Sequence, residues 1–150
     1  MCRPLEDVFL FLFSFLIKML KGVSVLLDSE FQPRGIVRFD QRASRLLIEI
    51  VAEGLSPGEH GFHVHESGDM TEGCKSLCAH YNPDHVTHGG LNSKERHRGD
   101  LGNVVANRRG VVKQRFSTNK LTLKEILGRS VILHAGRDDL GRGNHPESKT

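Results

Sequence analysis

Two histidines separated by a single residue, His63 and His65, most constrain how this chain can fold. On a β-strand, residues two apart lie on the same face, so both imidazoles point to one side of a sheet. Histidine is a frequent metal ligand, and carboxylates join it at zinc and copper sites. The pattern predicts a site for two metal ions, formed by a strand pair and one long loop. The other candidate ligands are His80, His88, His97, Asp100 and His134.

Short segments of alternating hydrophobicity make up most of the chain. Sixteen glycines and five prolines interrupt them, which favours many short strands over long helices. Two long stretches without periodicity, 67–98 and 136–150, are predicted to be functional loops, because structureless loops of this length are uncommon in compact domains. We predict one all-β domain, an antiparallel sandwich or barrel. The predicted strands cover residues 23–27, 35–39, 46–51, 61–66, 100–106, 111–116 and 130–135, whereas 121–127 fits either a strand or a helical turn.

The charge and cysteine content narrow the class of protein. The net charge is only +3, and there is no basic stripe with interleaved aromatic residues, so we expect no nucleic-acid partner. The three cysteines are an odd number and do not make a small-protein disulfide framework.

The first 20 residues differ in character from the rest. Residues 8–17 are almost wholly apolar, too few to cross a bilayer as a helix but enough for the hydrophobic region of a secretory signal peptide. Two acidic residues beside one arginine precede them, so the basic segment of such signals is missing. Residues 1–20 can be read as a signal peptide, an uncleaved anchor, or a non-native leader with Met19 as the true start. The predicted domain is 21–150, and we expect no stable membrane anchor.

Glycine, asparagine and aspartate residues flank the candidate ligands in a specific arrangement. The motifs are Gly61–Glu66, Gly68-Asp69, Gly73-Cys74, His80–Pro83, His88–Gly90, Arg96–Val104 and Asp138–Gly143. Together they resemble the copper/zinc superoxide dismutase family over about residues 21–150. The likeness is specific because the ligands, their spacings and the intervening residues all match. It implies an immunoglobulin-like Greek-key barrel or sandwich with two long functional loops.

The resemblance implies a role for each candidate ligand. Copper would be bound by His63, His65, His80 and His134, which are also the catalytic residues, and zinc by His80, His88, His97 and Asp100. His80 would bridge both ions as an imidazolate. Asp138 matches the family's carboxylate that links His63 to His88. The implied activity is antioxidant: superoxide is converted to dioxygen and hydrogen peroxide by copper redox cycling, and zinc is structural. His60 is expected to be structural, and Val64 to point into the core.

The chain departs from the family pattern at its end. Members normally continue past Thr150 with an active-site arginine, a cysteine and a last β-strand. If the chain ends there, we expect a destabilised, metal-dependent or aggregation-prone product. The simpler account is an incomplete sequence of a complete enzyme. Positive potential for steering superoxide is expected instead from Arg137, Arg142 and Lys149. Without the family's usual partner, Cys74 either pairs with Cys78 or stays reduced.

Two alternatives to the enzyme stay open. The dismutase-like domain of a copper chaperone for superoxide dismutase has similar motifs around Gly99–Val104 and in the second loop. Against it, such proteins carry a C-x-x-C copper domain and a C-x-C tail, and their dismutase-like domains often lose a copper ligand, whereas His134 is present here. The other alternative is a truncated, inactive metal-binding relic. The resemblance implies a homodimer for full-length members, a copper chaperone as partner, and a cytoplasmic location, or an extracellular one if residues 1–20 are a signal peptide.

Overall fold

The computed structural model describes residues 20–144 and 148, which form two antiparallel sheets with little helix. One sheet has the strand order β1–β2–β3–β6 and the other β5–β4–β7. The predicted all-β antiparallel sandwich is confirmed. The leader assigned to 1–20 falls almost wholly outside the described residues. The strands are β1 (Leu20–Leu27), β2 (Pro33–Arg42), β3 (Arg45–Ala52), β4 (Gly58–Val64), β5 (Asp100–Ala106), β6 (Val112–Thr118) and β7 (Val131–Leu133).

The core lies between the two sheets and follows the period-two pattern of the sequence. On β3, every second residue from Leu46 to Ala52 is buried, because alternate side chains point to the same face. Ile48 is in register with Phe39 on β2 and Phe116 on β6. The Phe116 ring packs edge-on against Phe62 of β4, with centroids 6.2 Å apart, and so joins the two sheets.

Strand β4 is buried on both faces over its last five residues, His60 to Val64. Phe62 and Val64 belong to the core and are fully buried, as predicted for Val64. Alternation puts His63 on the opposite face, where the loop between β4 and β5 covers it. The strand ends at Val64 rather than Glu66, and His65 forms only an isolated bridge with His80. The loop therefore takes the place of a neighbouring strand at this point.

The ambiguous segment 121–127 contains a short helix, α1 (Leu123–Ile126). Its start is fixed by a capping box, in which the Thr122 side chain accepts from the backbone N–H of Glu125 and the Glu125 side chain accepts from the backbone N–H of Thr122. A 3-10 helix, Gly73–Leu77, lies in the first long loop. No helix within residues 20–144 is long and apolar enough to cross a membrane.

Candidate metal centre

Four histidines from three parts of the chain converge on one point. His63 is the penultimate residue of β4, His65 follows that strand, His134 follows β7, and His80 lies in the first long loop. Each offers one ring nitrogen, and these four nitrogens lie within 4.8 Å of one another. The His63 ring centroid is 4.0 Å from that of His80 and 4.9 Å from that of His134. This first group contains all four residues that the sequence assigned to copper.

A second group lies beside the first and shares His80 with it. It consists of His80, His88, His97 and Asp100, and its ligand atoms are again within 4.8 Å of one another. The Nδ1 atoms of the three histidines lie 3.0, 3.0 and 3.2 Å from the carboxylate oxygens of Asp100. The second group contains all four residues assigned to zinc.

Backbone hydrogen bonds attach the loop to β4 between the two groups. Val64 donates to the carbonyl of Gly99 at 2.9 Å, and its own carbonyl accepts from Tyr81 at 2.8 Å. Gly99 in turn donates to the carbonyl of Tyr81 at 2.9 Å. A Cβ atom on Gly99 would overlap the carbonyl oxygen of Val64, so glycine is required for this close approach. The attachment fixes His80, which precedes Tyr81, and Asp100, which follows Gly99.

Backbone N–H groups also hold the Asp100 carboxylate. Asp100 is fully buried, and its Oδ2 accepts from the backbone N–H groups of Gly89 and His97 at 3.0 and 2.9 Å. Burial opposes ionisation, but the imidazoles of His80, His88 and His97 outweigh it and hold the pKa of Asp100 far below its usual range. The second group therefore contains a fixed, permanent negative charge.

Asp138 joins the two groups from behind. Its Oδ2 accepts from Nε2 of His63 at 2.9 Å, and its Oδ1 accepts from Nε2 of His88 at 2.7 Å. Despite burial, these hydrogen bonds hold the pKa of Asp138 far below its usual range. An ionised carboxylate requires an N–H on each Nε2, which leaves each Nδ1 free as a ligand atom. The structure thus has the link between His63 and His88 that the sequence assigned to Asp138.

The two groups differ in how they hold protons. Burial lowers the pKa of His63, His65 and His134 to about 4, so these three histidines are neutral at pH 7. Burial acts in the same sense on His88, but the carboxylates of Asp100 and Asp138 outweigh it and raise the pKa of His88 to about 10. Without a metal ion, the second group therefore retains a proton at neutral pH.

Unpartnered ring nitrogens show that the residues fit metal ions. Within the described part of the chain, five buried histidine nitrogens have no hydrogen-bond partner, which is costly unless a ligand satisfies them. Nδ1 of His88 and of His97 come within ion-pair distance of Asp100 without hydrogen-bond alignment, as expected for ligands of one ion. Three histidines and a carboxylate suit four-coordinate zinc, and an all-imidazole set suits copper. The five atoms are Nδ1 of His63, His88 and His97, and Nε2 of His65 and His134.

Comparison of the sequence and the fold with known proteins agrees with a site for copper and zinc. A family model for copper/zinc superoxide dismutase (SODC) matches residues 33–150. The chain belongs to the copper/zinc superoxide dismutase family. A superoxide dismutase [Cu-Zn] of Paramecium bursaria Chlorella virus 1 is 46% identical over 132 residues, which are 85% of this chain and 71% of that protein. In a crystal structure of the clock protein EA4, the fold matches with a TM-score of 0.79 at 38% identity, covering 86% of this chain and 83% of that one.

Copper chaperones within the family are similar at comparable identity. The copper chaperone for superoxide dismutase of Homo sapiens is 50% identical over 117 residues, which are 77% of this chain and 43% of that protein. The chain thus spans less than half the length of that chaperone. The likeness supports the family's fold and metal chemistry, and it leaves the enzyme and chaperone functions to be distinguished by experiment.

The residues assigned to substrate steering have different surroundings. Nε of Arg137 lies 2.6 Å from Oε2 of Glu59, so its charge is partly neutralised. Arg142 is exposed in the second loop, and Lys149 lies outside the described residues.

Cys78 is a free, exposed thiol that follows the 3-10 helix Gly73–Leu77. Its Sγ donates to the carbonyl of Ser76 at 3.8 Å.

The sequence predicted no role for three residues that support the centre, although Arg96 and Asn103 lie within one of its motifs. Asn103 fixes the backbone of Asp138 through two hydrogen bonds, of 2.8 and 2.9 Å. Arg96 and Arg129 donate to backbone carbonyls around the ligands. The position of Arg96 directly before the ligand His97 could have suggested its supporting role. No sequence signal indicates the role of Arg129, because Glu66 and Tyr81, which it contacts near the ligands, lie far from it along the chain.

Proposed function

We propose that this chain is a superoxide dismutase. The observation that carries the proposal is the complete first group: His134 joins His63, His65 and His80, and three of their buried nitrogens lack any partner. Copper would be held by this group and zinc by the second. When bound, copper supplies one-electron redox chemistry, and zinc supplies charge without redox chemistry.

The reaction needs two superoxide anions and two protons for each dioxygen and hydrogen peroxide. His80 is suited to handle a proton because it belongs to both groups and its ring has two nitrogens. Nδ1 of His80 lies 3.0 Å from Oδ1 of Asp100, which fixes the ring orientation and leaves Nε2 available to the first group. We assign Nε2 of His80 as the atom that holds a proton for the peroxide product.

The other residues of the centre orient these ligands. Asp138 fixes which nitrogen of His63 and His88 carries the proton. The carbonyl of Cys78, 2.8 Å from Nδ1 of His65, does the same for that ring and leaves Nε2 free. Superoxide is an anion, and exposed arginines near a site raise its local concentration, for which superoxide dismutases are a standard example. Arg142 and the partly neutralised Arg137 are the described residues assigned to this role.

The second candidate function is copper delivery, as in the chaperone relatives. It is favoured by their 45–50% identity over much of this chain. A delivery protein would release copper to an acceptor, whereas an enzyme would retain it and act many times. The complete first group favours retention, because its four imidazoles could all hold one copper ion.

The test uses the full chain loaded with copper and zinc, beside its His134→Ala variant. The enzyme proposal predicts one copper and one zinc per chain and catalytic decay of superoxide. His134→Ala should abolish catalysis while zinc content stays unchanged, since His134 is absent from the second group. Transfer of copper to a metal-free dismutase, without turnover by the loaded chain, would instead support the delivery function.

A further inference from the structure

Arg129 connects three segments of the chain behind the metal centre. Its Nε donates to the carbonyl of Glu125 in α1 at 2.9 Å, and its Nη1 donates to the carbonyl of Glu66. Its guanidinium carbon lies 3.9 Å from the centre of the Tyr81 ring, within the range of a cation–π interaction. One side chain thus contacts the helix, the residues just after β4 and the first long loop.

Two of these contacts are adjacent in sequence to ligands. Glu66 directly follows His65 of the first group, and Tyr81 directly follows the shared His80. The backbone in this region is already cross-linked, since His65 donates to the carbonyl of Ser130 at 3.0 Å. The position of Arg129 is therefore coupled to both ligand-bearing segments through short, direct connections.

We propose that Arg129 is a positioning residue for His80, acting through the stacked ring of Tyr81. A planar guanidinium can stack on an aromatic face and direct its N–H groups to fixed carbonyls at the same time, which a lysine cannot do. The side chains of Tyr81 and Arg129 are half-buried, so screening by water is reduced at the stack. Because His80 belongs to both groups, displacing Tyr81 is expected to disturb both metal sites together.

Arg96 offers a contrast within the same structure. It is 3% exposed, and its Nη1 donates to the carbonyls of His97 and Asp100 at 2.9 and 2.8 Å. Both of these residues belong to the second group alone. Changes at Arg96 should therefore affect the zinc site, whereas changes at Arg129 should affect both sites.

The experiment compares full-chain variants loaded with copper and with cobalt, which reports on the zinc site through its visible absorption spectrum. The variants are Arg129→Lys, Arg129→Met, Tyr81→Phe and Tyr81→Leu, with Arg38→Met as a control at an exposed ion pair on β2. We expect about a tenfold loss of affinity for both metals in each of Arg129→Lys, Arg129→Met and Tyr81→Leu. This is the lower end of the roughly 10–100-fold range for residues that orient metal ligands. The same variants should also change both the copper electron paramagnetic resonance spectrum and the cobalt absorption spectrum.

The controls separate positioning from general loss of stability. Tyr81→Phe keeps the stacked ring and should keep both spectra, as should Arg38→Met. Unchanged spectra and affinities in folded Arg129→Lys, or a change in one metal only, would overturn the proposal. If the arginine variants do not fold, the comparison of Tyr81→Leu with Tyr81→Phe decides, and identical spectra for that pair would also overturn it. These readouts concern metal binding, so they stand apart from superoxide turnover.

Discussion

Oδ1 of Asp138 lies 2.7 Å from Nε2 of His88, a residue 50 positions earlier in the chain. The other oxygen of the same carboxylate binds His63, so Asp138 contacts one ligand in each group. Two hydrogen bonds with the side chain of Asn103 fix the Asp138 backbone. The second loop is thereby linked to β5 at the point where it supports both metal sites.

Replacing Asp138 by asparagine should weaken both metals. An amide has one acceptor oxygen and presents an N–H₂ group to the other imidazole N–H, so one ring loses its hydrogen bond. We expect losses of about 10–100-fold in affinity for copper and zinc, as is typical for groups that orient metal ligands. Competition with chelators measures both affinities.

The neighbouring Asp139→Asn is the matched control for this variant. Asp139 accepts from the backbone of Gly141 and contacts no ligand histidine among the described residues. Its substitution should leave both affinities unchanged. Equal losses in the two variants would mean that the second loop, rather than the Asp138 carboxylate, supports the centre.

Asp100→Ala should lose zinc first, before copper. The substitution deletes one of four ligands of the second group, together with the acceptor for the Gly89 and His97 N–H groups. The loss of zinc affinity should exceed the roughly 10–100-fold typical of groups that only orient ligands. Metal analysis after dialysis measures this, with exposed Asp84→Ala as a control in the same loop. Unchanged zinc content in Asp100→Ala would contradict the ligand assignment.

Zinc binding at pH 7 should release a proton that copper binding to His63, His65 and His134 does not. The pKa of His88 is about 10 in the metal-free chain, so His88 is protonated at pH 7 and must lose that proton to bind. The three copper-side histidines, with pKa values of about 4, are already neutral. Calorimetric titration in buffers of different ionisation enthalpy measures the released protons. Zinc binding without proton release would contradict the assignment.

The metal-free chain should lose stability as the pH falls from about 6.5 to about 4. In this range the unfolded chain protonates its histidines, whereas folded His63, His65 and His134 stay neutral. The unfolded state therefore binds more protons, and each histidine contributes a slope of at most about 1.4 kcal/mol per pH unit. His88 acts in a different window: its contribution is full below about 6.5 and is lost as the pH rises towards about 10. Denaturant unfolding across this pH range checks both trends, and a free energy of unfolding that does not change with pH would contradict them.

Gly99→Ala should destabilise the chain, since its Cβ would meet the Val64 carbonyl. We expect a loss of about 1–3 kcal/mol, the usual cost of overpacking. The matched control is Gly136→Ala, because a Cβ there meets nothing within 4 Å. The control should stay within about 0.5 kcal/mol of the parent chain in denaturant unfolding. Equal stability of the two variants would show that the loop does not depend on this close approach.

The fold was largely predictable from the sequence because its signals are local. Alternation on β3 and the turn glycines indicate strands directly, and all seven predicted strands are present. The segment 121–127 was ambiguous because so short a run of apolar residues, Leu121, Leu123 and Ile126, does not distinguish the repeat of a strand from that of a helix. In the structure, the capping box at Thr122 and Glu125 stabilises the helix, and the buried Leu121 and Leu123 pack in the core.

The candidate ligands were also predictable, because their types and spacings are specific. The supporting contacts were not, since they depend on distances between segments remote in sequence. Arg129 and Glu66 are 63 positions apart, and the pairing of Arg137 with Glu59 joins a loop to the start of β4. Composition alone could not show that the Arg137 charge is partly neutralised, or that Cys78 stays a free thiol.

The most direct test of the proposed function is the rate of superoxide decay per bound copper in the full chain loaded with both metals. The complete first group predicts turnover of many superoxide anions per copper, with zinc retained throughout. Decay that stops after about one superoxide per copper, or copper that does not bind at the first group, would contradict the assignment of this chain as a superoxide dismutase.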